Sequence, residues 1–220
     1  FLVLDERKAL ETMKPDQFRS ALLRLAQGGH YRGILVQTKE KLLWRGATSQ
    51  LNRPIVYVKN NAAVALEGKQ INLAIHARFQ PDYTTNNVCG MLKGTSASDS
   101  TIVITAHYDH VGAIGRHTVF TGANDNASGT ALMLYLARYY QQHPPRYNMV
   151  FLAFSGEESG LLGSSFFAKN PLIDLKKIKF LLNFDMAGTG DDGIQVVNGT
   201  IFKEQFERLT AINTEKKYLP

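Results

Sequence analysis

The chain has 220 residues, 44% apolar and 20% charged, the balance of an ordinary globular protein of one or two domains rather than a disordered, collagenous or coiled-coil chain. No run of about 18 apolar residues occurs, which excludes a membrane-spanning helix, and one cysteine, Cys89, excludes a disulfide framework and a cysteine-rich zinc site. The net charge of +6 sits in residues 1–100, with 14 Lys+Arg against 8 Asp+Glu, while residues 101–220 balance at 11 and 11; the basic half alternates in sign without interleaved aromatics, as on a solvated face, and argues against a nucleic-acid partner.

Residues 1–4 form an apolar run that predicts a strand. From 16 to 27, Phe18, Leu22, Leu25 and Ala26 recur at helical spacing, with Asp16 after Pro15 as N-cap and Gly28-Gly29 as the stop. Short strands are expected at 33–37 and 53–58, then a short helix at 62–66. A longer strand is expected at 69–79, with Ile71, Leu73, Ile75 and Ala77 on one face. Residues 1–84 thus read as a small mixed α and β unit. The chain opens at Phe1 directly in an apolar run, so no signal peptide is read, and cropping upstream is the expectation.

Residues 85–220 have another rhythm. Strands are expected at 87–92 and 101–106, then a helix at 127–142 with Leu132, Leu136 and Tyr139 on one face. Next come a buried strand at 148–154, a helix at 161–169 and another buried strand at 179–184. A short strand at 194–197 and a helix at 201–212 close the series. Strands alternating with helices argue for a layered α/β sheet, and in such sheets sites lie beyond the carboxyl ends of the strands.

The residues just past each buried strand are chemically pointed. His107-Tyr108-Asp109 comes after the first, Ser155-Gly156-Glu157-Glu158 after the second, and Asp185 after the third; Asp125 lies in Gly122–Gly129, just before a helix. Each has a plain structural reading. A strand-end His with an Asp two residues on is commonly a hydrogen-bonded pair, and a Glu-Glu pair a solvated loop. Asp125 fits an N-cap and Asp185 a strand-end turn. Together they bring carboxylates to one sheet edge, where burial costs several kcal/mol each unless a cation compensates. A histidine among them points to a transition metal, most simply zinc.

Four successive segments carry a resemblance. Ala106-His107-Tyr108-Asp109, Gly122–Gly129, Gly156-Glu157-Glu158-Ser159-Gly160-Leu161-Leu162-Gly163-Ser164 and Asn183-Phe184-Asp185-Met186 resemble the motifs of the di-zinc aminopeptidases, the family of bacterial leucyl aminopeptidases, aminopeptidase Y and the glutamate carboxypeptidase II type. The resemblance covers roughly residues 87–190. It implies a zinc-exopeptidase fold, a three-layer α/β sandwich with a mixed, mainly parallel sheet. It assigns His107 and Asp185 to one zinc, Glu158 to the other, Asp125 as the bridge, Glu157 as general base and Asp109 as the residue orienting His107. A cis peptide between Asp125 and Asn126 is implied as well.

The element order of residues 1–84 similarly resembles a protease-associated domain, which often accompanies this family and carries no catalytic residue there. The expected domains are therefore 1–84 as that unit and 85–220 as the catalytic domain. The implied activity is hydrolysis of N-terminal peptide bonds through a metal-bridging water, on a peptide substrate, at a secreted, periplasmic or cell-envelope location. A glutaminyl cyclase on the same fold, and a non-catalytic binding protein on the peptidase scaffold, are the alternatives. The His107, Asp125, Asp185 set favours the two-metal peptidase over the first, and Glu157 with four ligands disfavours the second.

One feature departs from the family pattern. The family's last ligand is a histidine from a late loop, and no histidine occurs after His143 here. His110 and His117 occupy no motif ligand position and read as loop residues. The expectation is a catalytic domain short of its C-terminal part, whose second zinc position keeps only Asp125 and Glu158, binding at most one zinc weakly and poorly active. The preferred N-terminal side chain and the oligomeric state are not written in the sequence.

Overall fold

The computed structural model describes residues 1–42, 49–59, 68, 70–191 and 193–218. The chain divides into two compact units, Phe1–Thr84 and Thr85–Pro220.

In the first unit the elements are β1 (Leu2–Asp5), α1 (Glu6–Leu10), α2 (Pro15–Gly28), β2 (Ile34–Thr38) and β3 (Ile55–Lys59). The strands form a parallel sheet in the order β1-β2-β3. Ile34, Leu35 and Val36 are buried, as a central strand covered on both faces requires. Phe18, Leu22 and Ala26, spaced by four, put one stripe of α2 against Ile34 and Val36. Burying each large side chain contributes about 1.5–3 kcal/mol.

The helix begins one step earlier than expected. Its N-cap is Lys14, whose amide donates to Gln17 Oε1 at 3.0 Å, and Pro15 takes the first helical position, where its missing N–H costs nothing. Asp16 lies inside the first turn. α1, which no sequence pattern announced, starts at Asp5, whose carboxylate accepts from the Lys8 amide at 3.3 Å. Residues 70–79 are not a strand: no partner strand pairs with them among the described residues, and most of their side chains are exposed. Alternation without a partner leaves the backbone groups to water. The helix expected at 62–66 lies outside the described residues.

In the second unit the elements are β4 (Val88–Leu92), β5 (Thr101–His107), β6 (Ala113–Ile114), β7 (Thr118–Val119), α3 (Gly129–Gln142), β8 (Asn148–Phe154), α4 (Leu162–Lys169), β9 (Ile178–Asn183) and α5 (Lys203–Lys216). β6 and β7 form a small antiparallel ribbon. The main sheet runs β4-β8-β5-β9, with β4 antiparallel and the other three parallel. It is the mixed, layered α/β sheet expected. α3 packs Met133 with Ile104, Ala106, Met149 and Phe151, and half-buried Leu136, Ala137 and Tyr140 join them. Phe167 of α4 packs with Val103, Val150 and Leu152, the residues of opposite parity on the same strands. Period-2 alternation therefore puts the two helices on opposite faces.

Several expectations are corrected here. α3 starts at Gly129 rather than 127, because Ala123–Ser128 is a wider, π-type turn in which Asp125 and Asn126 leave helical backbone. Its inward stripe runs through Met133, Leu136, Ala137 and Tyr140, and Tyr139 is exposed. β9 is half-exposed rather than buried, since it is the outermost strand on its side among the described residues, and its outer side chains alternate with solvent. Residues 194–197 form no strand.

From β5 the chain crosses through α3 to β8 on one side. From β8 it crosses through α4 to β9 on the other side of β5. β5 is thus the strand at which the winding reverses, and such a point opens a crevice beyond the carboxyl ends.

Candidate metal centre

His107 is the last residue of β5, and its side chain is only 4% exposed. Its Nε2 lies 3.1 Å from Asp125 Oδ1, 3.5 Å from Asp185 Oδ1 and 4.0 Å from Glu157 Oε2. Each partner comes from a different segment: the turn before α3, the end of β9 and the end of β8. Glu158, next to Glu157, contacts a different histidine. Its Oε1 lies 2.7 Å from His110 Nδ1, in a second group that again includes Asp125. The five acidic and histidine residues expected at this edge are brought together there.

Asp109 contacts the His107 ring, as expected of the residue orienting it, and does so through its main chain. The Nδ1 of His107 meets the backbone carbonyl of Asp109 at 3.1 Å, whereas the Asp109 carboxylate is 3.8 Å away. That carboxylate accepts from the amides of Glu157 at 3.1 Å and Glu158 at 3.2 Å. Asp109 therefore holds the Glu157-Glu158 turn with its side chain and the His107 ring with its main chain. Gly156 makes this turn possible, since its φ of +70° lies in the left-handed region open to glycine.

The residue that sequence reasoning missed is Asn126. It is 1% exposed. Its Nδ2 donates to the Phe184 carbonyl at 2.9 Å, and its Oδ1 accepts from the amides of Gly129 at 3.0 Å and Met186 at 3.1 Å. It thereby ties the chain beside Asp125 to the chain beside Asp185, satisfying the Phe184 carbonyl and the Gly129 and Met186 amides around the two carboxylates. Its signal in the sequence was weak: an amide next to an acid in a Gly-bounded turn. A cis peptide joins Asp125 to Asn126. Gly129 is needed for the same joint, because a Cβ there would collide with Asn126 Oδ1 and the Phe184 carbonyl.

The electrostatics arise from the crowding. Burial works against a charged His107, yet Glu157, the Asp109 carbonyl, Asp185 and Asp125 together hold its pKa above the ordinary imidazole value. Burial pushes the Glu157 carboxyl up; His107 opposes this, and Glu158, Asp185 and Asp109 reinforce it. The donor set suits zinc. One imidazole and two carboxylates with separations of 3.1 and 3.5 Å bracket the edge of about 3.3 Å expected for a tetrahedron with bonds of about 2.0–2.1 Å.

Residues 87–218 match peptidase family M28. The chain belongs to that family. The matched segment contains His107, Asp109, Asp125, Glu157, Glu158 and Asp185. Aminopeptidase YwaD of Bacillus subtilis (strain 168) is 37% identical over 161 residues, 71% of this chain and 34% of that protein. A protein of Pyricularia oryzae named "Probable zinc metalloprotease" is 38% identical over 198 residues, 86% of this chain and 39% of that protein. Among solved structures, BSAP, a zinc aminopeptidase from Bacillus subtilis, is similar with a TM-score of 0.52 and 27% identity, covering 73% of this chain and 39% of that chain. The chain thus spans 34% and 39% of the lengths of those two curated relatives. The M28 sheet accounts for why the donors sit at strand ends: the backbone groups there are free of the ladder, and short loops can turn side chains into the crevice.

Proposed function

We propose that this chain carries the zinc-binding and catalytic residues of an aminopeptidase that hydrolyses N-terminal peptide bonds. The observation that carries the reading is the convergence of His107, Asp125 and Asp185 on one space, with the Glu157 carboxyl 4.0 Å from the same ring nitrogen. The name of the Bacillus subtilis relative supports the aminopeptidase class. His107, Asp125 and Asp185 would hold one zinc; Glu158 and Asp125 would contribute to a second position. Zinc, when bound, supplies Lewis acidity toward a peptide carbonyl and acidifies water.

The chain's own residues do the rest. Glu157 Oε2 takes a proton from the attacking water and returns it to the leaving amine, a task suited to a carboxyl whose pKa is raised above the ordinary range. Asp109 keeps Glu157 in reach through the 3.1 Å bond to its amide. It engages the Glu157 amide and not its carboxylate, which stays 4.0 Å from His107 Nε2. The Asp109 carbonyl, accepting from His107 Nδ1, selects the tautomer that leaves Nε2 with a lone pair for a metal. Residues 1–84 are proposed as a protease-associated-like adaptor on the resemblance of their sequence; the order β1-α1-α2-β2-β3 agrees with its first part, while the strand expected at its end is not formed over residues 70–79. Both donor groups among the described residues lie between His107 and Asp185.

The test is hydrolysis of aminoacyl-nitroanilides by the zinc-loaded chain beside its Glu157→Gln variant. Zinc-dependent turnover that disappears in the variant is expected. Turnover of equal size without zinc, or in the variant, overturns the reading.

A further inference from the structure

The turn that carries Asp125 has an asparagine on each side of it, Asn124 and Asn126. Both side chains reach the segment that follows β9. Asn126 Oδ1 accepts from the Met186 amide at 3.1 Å, and Asn124 Oδ1 accepts from the Gly188 amide at 2.9 Å. These contacts fall one and three residues past Asp185, on a stretch that needs holding. The pairing of β9 with β5 ends at Asn183, with one further bond from the Phe184 amide to the Thr105 carbonyl. Met186 then takes a φ of +54°, a left-handed conformation that a residue with a Cβ keeps only where its surroundings impose it. The Asp125 and Asp185 carboxylates lie 3.1 and 3.5 Å from the same His107 nitrogen, and like charges so placed push their backbones apart.

Asn124 is itself anchored. Its backbone carbonyl accepts from Ser128 Oγ at 2.6 Å, and the Ala127 amide closes the turn onto the Gly122 carbonyl at 2.9 Å. Opposite the Asn124 side chain stands a glycine. A Cβ on Gly188 would come within 2.9 Å of Asn124 Oδ1 and 3.0 Å of Ser128 Cβ, so the two segments approach this closely because position 188 has no side chain. Asn126 grips the segment on both sides of Asp185, through the Phe184 carbonyl and the Met186 amide, but from one point of the turn. Asn124 grips it from the other side of Asp125. One point of attachment is a pivot; two points, with Asp125 between them, restrain rotation of one segment against the other.

We propose that Asn124 is a positioning residue of the metal centre, bracing the segment after Asp185 against the turn that carries Asp125 and so fixing the separation of the two carboxylates. The inference rests on the metallopeptidase reading above, and only on its first position, His107, Asp125 and Asp185. Asn124 does not touch the metal. It acts through the Gly188 amide, and its effect is to hold two ligands on different segments at the spacing a zinc ion accepts.

The experiment compares the wild-type 220-residue chain with Asn124→Ala, Asn124→Asp, Gly188→Ala and the Asn124→Ala/Gly188→Ala double variant, with circular dichroism to verify folding. Affinity for the first zinc is read by calorimetry, and ligand geometry by the visible absorption of cobalt(II) bound in its place. Asn124→Ala and Gly188→Ala should each bind the first zinc about tenfold more weakly, the lower end of the loss expected when a residue supporting a metal ligand is removed. Both should also change the position or intensity of the cobalt band. Asn124→Asp, which keeps the acceptor oxygen, should recover most of the affinity. The double variant should lose no more than either single one, because both break the same contact. Wild-type affinity in Asn124→Ala or Gly188→Ala, equal losses in Asn124→Ala and Asn124→Asp, additive losses in the double variant, or weaker binding with the wild-type cobalt band would each overturn the inference and leave the first position standing. No zinc bound by wild type would instead overturn the metallopeptidase reading itself. If Asn124→Ala fails to fold, the affinity and cobalt band of Gly188→Ala decide.

Discussion

The two units of this chain are built by the same local physics and end up chemically unlike. Each has parallel strands with Ile, Leu and Val buried at the centre, and each covers them with an amphipathic helix: Phe18, Leu22 and Ala26 on α2, Met133, Leu136 and Ala137 on α3. In the first unit β2 ends at Gln37 and Thr38 and β3 at Lys59. In the second, the strand ends run into His107, Glu157-Glu158 and Asp185. The second unit also has helices on both sheet faces, so its central strand reverses the winding and opens a crevice. Burial of apolar strands thus makes a scaffold in both cases, and only the residues loaded onto the carboxyl ends make one of them a candidate for chemistry.

The sharpest way to break this contrast is at Glu157. Glu157→Gln should lower hydrolysis by at least about a hundredfold, the usual value of a general base, while zinc uptake stays intact because no ligand is lost. Paired assays of turnover and bound metal check it. Near-normal turnover would move the base to another group.

Core truncation separates the units next. Leu22→Ala and Leu152→Ala remove side chains about equally buried, at 2% and 1% exposure, and each should cost about 2–5 kcal/mol in its own unit. Only Leu152→Ala should also weaken zinc binding, because Leu152 lies on β8, which leads to Glu157 and Glu158. Denaturant unfolding tracked beside zinc titration would show it. Equal loss of zinc affinity in both variants would erase the distinction.

Asp109→Ala removes the acceptor of the Glu157 and Glu158 amides without touching a proposed ligand. Zinc affinity should fall by about 10–100-fold, most at the position using Glu158. Asp109→Asn, which keeps one acceptor oxygen, should recover part of the loss. No difference between the two variants would indicate that the side chain only fills space.

The smallest effect is a pH slope. His107 and Glu157 both hold protons more tightly folded than unfolded. The stability His107 contributes is fully present below its unfolded pKa and fades as pH rises through its raised folded value. Glu157, an acid with a raised pKa, likewise loses stability as pH rises from the ordinary carboxylate range. Metal-free chain should therefore show a lower urea midpoint at about pH 8 than at about pH 5, with a smaller drop in Glu157→Gln. Zinc should reverse the trend, since its ligands bind deprotonated. A metal-free midpoint that rises over that interval would contradict the crowding at His107.

Much of the scaffold was legible in the order of residues. The apolar run 149–154 falls within β8, and the i, i+4, i+8 spacing of Phe18, Leu22 and Ala26 marks the buried stripe of α2, because periodicity and burial are local properties of a chain. The placement of His107, Asp125, Glu157, Glu158 and Asp185 beyond strand ends was readable for the same reason. What the tertiary structure alone decided depends on pairing and direction. Among the described residues, 70–79 alternate like a strand and have no strand beside them, and 179–184, which reads as buried, lies at the flank of its sheet. Asp109 was expected to orient His107; that it does so with its carbonyl, its carboxylate being taken by two amides 48 and 49 residues away, only the structure decided. His110 and Glu158 likewise lie 48 residues apart in sequence, and only the crossover through α3 and the shared anchor at Asp109 bring Nδ1 and Oε1 to 2.7 Å. Sequence records which donors exist, whereas their common target is set by loop closure over long separations, which no local pattern encodes.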